Sequence, residues 1–172
     1  MKILIISLPR CGSTNLLLNT AKKYNLKGIF EPFDGSNREQ YNEKMKNIVV
    51  KTIVGHQTNS DLPHLLFLEN LSKQFNQVIL LSRKDLISCA QSHAYVVYNK
   101  ERKKVSSISE YYWEPTPIDE LCLQNIIDWN NTLKKLSEII IVPITYYEDI
   151  YDVSSDEKLR KGDKKNSKID LL

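Results

Sequence analysis

An α/β fold with a mostly parallel central sheet flanked by helices is predicted by three features of the chain. Short apolar runs of strand length, ILIIS, IVVKTI and QVILLS, are each followed by a stretch of helical periodicity. Strands that alternate with helices imply βαβ units, whose strands run parallel and are covered on both faces. Two of the strands also end on short polar segments carrying Arg, Ser or Gly, which is how ligand loops sit at the carboxyl edge of such a sheet.

Taken in order, residues 2–7 read as a strand and 14–25 as a helix; 48–54 is a strand, 61–74 a helix and 77–82 a strand. A helix follows over 85–99, a long helix over 119–137 and a last strand over 139–144, where IIIVPI is rich in β-branched residues. In the long helix Cys122, Ile126, Trp129, Leu133 and Leu136 recur at steps of three and four, so they form a buried stripe and Trp129 is core. The 172 residues fit one domain over 1–155 with a charged tail over 156–172. Segments 31–47 and 100–118 break the periodicity, the second with two prolines that oppose a continuing helix. Both are candidate walls of an acceptor site. Tyr111, Tyr112 and Trp113 could stack on a sugar or simply anchor a long loop.

The first strand runs directly into PRCGSTN and then LLLNTAKKY, the layout of a phosphate cradle and hence of a P-loop-like three-layer fold. The first N–H groups of a helix have no intrahelical partner and can converge on anionic oxygens. Arg10 adds charge, Ser13 and Thr14 add hydroxyls, and Gly12 lets the backbone approach closely. The loop is neither G-x-x-x-x-G-K-[ST] nor G-x-G-x-x-G, since Ser13 follows Gly12 where the first motif needs Lys. The same residues also suit an ordinary strand-to-helix turn with a Ser or Thr cap.

QVILLS repeats the layout by delivering Arg83, Lys84 and Asp85 to the start of a helix on which Ser88, Cys89, Ser92 and His93 follow. Residues four apart share a helical face, and a guanidinium at the strand exit is placed to grip an anion in the crevice that the first loop also borders.

With these residues in view the chain resembles the PAPS-dependent sulfotransferases, and in motif style the bacterial carbohydrate sulfotransferases. PRCGSTN is similar to the family's 5′-phosphosulfate loop, and LSRKDLISCAQSH to its 3′-phosphate motif. FEPF at 30–33, VVKTIVGHQ at 49–57 and TYYEDI at 145–150 resemble further family segments in the family's order. The resemblance implies that Arg10, Cys11, Gly12, Ser13, Thr14 and Asn15 bind the 5′-phosphosulfate of PAPS, and that Arg83 and Ser92 hold its 3′-phosphate. Arg10 would also stabilise the sulfuryl group in transfer. Cys11 stands where Ser or Thr is usual, and Asn15 where Leu or Trp is usual. For the catalytic base the resemblance offers Glu31 and His56, with Glu31 favoured by the R-K-D…Q-S pattern, and Lys51 as a further charge near sulfur. The implied reaction is sulfuryl transfer from PAPS to a hydroxyl of a carbohydrate or other small molecule, leaving PAP and requiring no metal.

Composition excludes some other classes. Lys plus Arg number 24 against 21 Asp plus Glu, too small an excess to argue for nucleic-acid binding, and no zinc-finger spacing is present. His56, His64 and His93 lack metal-ligand spacing. Three cysteines, Cys11, Cys89 and Cys122, without C-x-x-C spacing favour a reducing compartment, and no apolar run reaches membrane-spanning length, so a cytoplasmic, membrane-free protein is expected. Two other readings stand beside sulfuryl transfer. One is a P-loop-like nucleotide kinase or phosphotransferase, opposed by the missing G-K-[ST]; the other is a non-catalytic nucleotide-binding or interaction protein.

Overall fold

In the computed structural model, residues 1–34, 41–55, 62–103 and 120–151 are described, the side chains of 98–103 excepted. Five strands, β1 (Lys2–Ser7), β2 (Lys27–Phe30), β3 (Ile48–Ile53), β4 (Gln77–Ser82) and β5 (Ile144–Tyr146), form one sheet in the order β2-β3-β1-β4-β5. Every pairing is parallel. Among the described residues five helices connect or follow them: α1 (Ser13–Tyr24), α2 (His64–Ser72), α3 (Leu86–Lys103), α4 (Glu120–Ile140) and α5 (Tyr147–Ile150). This is the three-layer, P-loop-like α/β fold expected from the sequence.

The apolar runs explain the layering. β1 is buried on both faces, so its residues alternate between two cores rather than between core and water. Ile3 and Ile5 join Leu16 and Leu17 of α1 on one side, while Leu4 and Ile6 join Leu68 and Leu71 of α2 and Leu133 and Leu136 of α4 on the other. Each such side chain, fully withdrawn from water, contributes roughly 1.5–3 kcal/mol before ordering costs. The chain leaves β1 toward β2 and β3 at one edge and then crosses to β4 and β5 at the other, which makes β1 and β4 a topological switch point with a crevice at their carboxyl ends.

The sequence reading needs correction at several boundaries. β2 was not anticipated, because KGIF is only four residues long and contains a glycine; pairing with the buried β3 is what makes it a strand. Of the strand expected at 139–144, Ile139 and Ile140 end α4, residues 141–143 form a turn, and β5 lies over Ile144–Tyr146. Ile140 packs against the core and prolongs α4 by one contact of its inward stripe, while Ile139 and Ile141 are exposed. The helix then stops where Ile141 enters the left-handed region (φ 56°) and the Val142 N–H closes onto the Ser137 carbonyl at 3.2 Å. α2 starts at His64, directly after Pro63, rather than at 61, and α3 extends beyond 99 to Lys103. Of the stripe expected on α4, Ile126, Leu133 and Leu136 are fully buried, while Cys122 and Trp129 are only partly buried. Trp129 is packed against both cores.

Trp129 also carries the turn after β3. Gly55 has φ 98°, and a Cβ there would lie 2.6 Å from the Trp129 indole, so both the backbone conformation and the close approach require glycine. The Gly55 N–H donates to Nε2 of His64 at 3.0 Å, which places the imidazole proton on Nδ1. Burial disfavours the imidazolium and lowers the His64 pKa below its ordinary value. Because the folded value lies below the unfolded one, the stability from this contact is complete above about pH 6.5 and is lost as pH falls through the folded value. Urea unfolding should therefore show the native protein exceeding a His64→Leu variant by about 1 kcal/mol at pH 7.5, with the gap shrinking at pH 5.5. An equal gap at both pH values would remove the histidine from this role.

No described helix is long and apolar enough to cross a membrane. The tail over 156–172 and the Tyr111–Trp113 segment lie outside the described residues.

Candidate functional site

Three strand ends and the start of α1 converge at the carboxyl edge of the sheet. After β1 the chain makes two left-handed excursions, at Arg10 (φ 60°) and at Gly12 (φ 70°), the residue before α1. A left-handed conformation costs an L-residue about 1–2 kcal/mol, so Arg10 is held there by its surroundings. Its Nε donates to Ser92 Oγ on α3 at 3.0 Å, and its carbonyl faces Nη1 of Arg83 at 3.5 Å. Gly12 is required by its neighbours as well as by φ, since a Cβ would lie 2.8 Å from the Tyr151 ring and 3.0 Å from the Tyr147 ring. The Tyr151 hydroxyl donates to the Gly12 carbonyl at 3.0 Å. Burial pushes that phenol's pKa up, so it remains a donor.

The side of the loop beneath α3 is closed by sulfur. Cys11 and Cys89 are fully buried, and both thiols point at the Pro9 carbonyl, at 3.5 and 3.1 Å. Hydrogen bonding with Cys89 and burial raise the Cys11 pKa well above its ordinary value, which keeps the thiol protonated. The expected contribution of Cys11 to ligand binding is therefore confined to its backbone, since its side chain is turned into the core. Ser13 is buried at the first position of α1, and Asn15 lies in the same turn.

A second constellation lies on the β3 side. Lys51 is buried in the middle of β3, paired in register with Ile5 of β1 and Phe30 of β2. Its ammonium donates to Thr14 Oγ1 at 2.9 Å and forms an ion pair with Glu31. Burying a lysine is costly unless the charge is paired and hydrogen-bonded, and here it is both. Glu31 follows β2 with φ 44°, another left-handed non-glycine residue. Its N–H extends the ladder to the Lys51 carbonyl at 2.8 Å, and its own carbonyl accepts from Asp34 N–H at 3.0 Å. Ladder and turn together aim the carboxylate back over the lysine.

The third group is at the exit of β4. Arg83 stacks on Tyr147, with its guanidinium carbon 5.0 Å from the ring centre, and its Nε lies 3.7 Å from Glu148 Oε1. That separation gives charge attraction without a hydrogen bond, and Nε is buried without a hydrogen-bond partner among the described residues. The Glu148 carboxylate accepts instead from the N–H groups of Lys84, at 3.0 Å, and Asp85, at 3.3 Å. Asp85 caps α3 by accepting from Ser88 N–H at 2.9 Å and from its hydroxyl, and these bonds hold its carboxyl below the usual range.

The fold thus brings Arg10, Gly12, Ser13, Thr14, Lys51, Glu31, Arg83 and Ser92 to one edge. His56 lies outside the described residues. Tyr147, Glu148 and Tyr151 also belong to the site, although the sequence assigned them no role. TYYEDI was visible as a segment, but nothing in it says that two of its rings rest on Gly12.

No protein-family model matches the chain, and no curated protein matches it. Among solved structures, the YorR protein of Bacillus subtilis, in complex with phosphorylated GDP, aligns over 94% of this chain and 92% of its own at 13% identity, with a TM-score of 0.44.

Proposed function

We propose that the chain is a PAPS-dependent sulfotransferase that modifies a hydroxyl of a carbohydrate or another small molecule. The observation that carries this reading is the Arg10–Ser92 hydrogen bond, which joins the two nucleotide motifs across 82 positions of sequence, with Arg83 beside them. The donor set suits a nucleotide with two anionic ends: two guanidiniums, the N-terminus of α1 and the Ser13 and Thr14 hydroxyls. PAPS, when bound, supplies the activated sulfuryl group.

The chain's own residues would then act by position and charge. Arg10 and the α1 N–H groups put fixed positive potential where anionic oxygens sit, so little reorganisation is needed as charge develops. Glu31, steadied by Lys51, accepts the proton that an acceptor hydroxyl must lose. Lys51 links that carboxylate to Thr14 and so ties the base to the phosphate loop.

A thermal-shift comparison of PAP, AMP and Mg-ATP tests the reading. Selective binding of PAP to the folded state should raise apparent stability, by ~2.7 kcal/mol at a hundredfold excess over Kd. A response to Mg-ATP with none to PAP would replace sulfuryl transfer by the phosphotransferase reading. An acceptor screen with sulfur-labelled PAPS then identifies the substrate.

A further inference from the structure

We infer that Tyr147 and Glu148 are positioning residues that fix the Arg83 guanidinium for the 3′-phosphate, an inference that rests on the PAPS reading above. A guanidinium has two faces and three nitrogens, and the surroundings of Arg83 occupy them unequally. Tyr147 lies against one face, and the Nε edge is turned toward Glu148 at a distance too long to form a hydrogen bond. Nη1 makes a long contact with the Arg10 carbonyl, and Nη2 makes no hydrogen bond among the described residues. The edge formed by Nη1 and Nη2, which grips a phosphate with two parallel bonds, is thereby left toward the phosphate loop.

The support for this orientation is dense for so short a segment. Glu148 fixes the backbone of the turn that carries Arg83 by accepting from Lys84 and Asp85 N–H. Lys84 pairs with Asp149 and sits over the Tyr146 ring at 5.6 Å. The turn after β4 is thus clamped to α5 at three successive residues. The Tyr147 ring touches Gly12 as well as Arg83, so one side chain sets the spacing between the two halves of the nucleotide site.

Calorimetry with PAP and with AMP, which lacks the 3′-phosphate, tests the assignment. Tyr147→Leu should weaken PAP about 5- to 30-fold, the factor that a desolvated cation–π contact represents, and leave AMP within about twofold. Tyr147→Phe, which keeps the ring, should restore PAP binding. Should Tyr147→Leu fail to fold, Glu148→Ala, which releases the turn, should show the same selective loss. Equal losses for PAP and AMP, or an unchanged PAP affinity, would overturn the positioning role while the native protein's preference for PAP still stands. A native protein with no preference for PAP over AMP would overturn the PAPS reading and this inference with it.

Discussion

Arg10→Ala should lower sulfuryl-transfer turnover by ~10²-fold or more in a protein that retains its fold, the scale on which one preorganised charge-stabilising donor acts. Arg10 projects from a loop whose backbone is already left-handed at that position, and alanine adds no backbone strain that arginine does not carry. The variant removes the charge and the bond to Ser92, and leaves the buried thiols, the Tyr151–Gly12 bond and the packing of the loop in place. Circular dichroism and an unchanged thermal unfolding midpoint would separate loss of chemistry from loss of structure. Turnover equal to that of the native protein would take Arg10 out of the reaction.

Glu31→Gln should cost ~10²- to 10⁴-fold in turnover, the range for removal of a positioned general base. The amide keeps the shape of the side chain and an oxygen for Lys51, but it cannot take a proton from an acceptor hydroxyl. The buried lysine loses its ionic partner, so a stability decrease of about 1–2 kcal/mol should accompany the change, and rates belong at a temperature where both proteins are folded. His56→Asn, measured in parallel, ranks the two candidates for the base. Full activity in Glu31→Gln would exclude Glu31 as the essential base.

The sheet-forming runs were legible because they are buried on both faces, so their apolar character is nearly continuous and does not depend on which neighbour covers them. ILIIS and QVILLS became β1 and β4 with the expected boundaries. β2 and the end of α4 were not legible for the opposite reason. KGIF gains strand character only from its neighbour β3, and IIIV has the composition of a strand while its first two residues end α4 and its last two lie in the turn that follows. Within the site, Arg10, Gly12, Thr14 and Arg83 could be picked out because a strand that stops at a polar loop is a local pattern.

The sequence by itself determined the layers, the two polar strand exits and the residue types offered at them, because apolar periodicity and loop chemistry are properties of contiguous residues. Only the tertiary structure decided which of those residues meet. Arg10 reaches Ser92, Lys51 joins Glu31 to Thr14, and Tyr147 stands between Gly12 and Arg83. These contacts depend on the strand order, which places β3 and β4 on either side of β1. The parallel crossovers bring distant segments of the chain to a common edge, and hydrogen bonds a few ångströms long then select partners that no spacing along the sequence encodes.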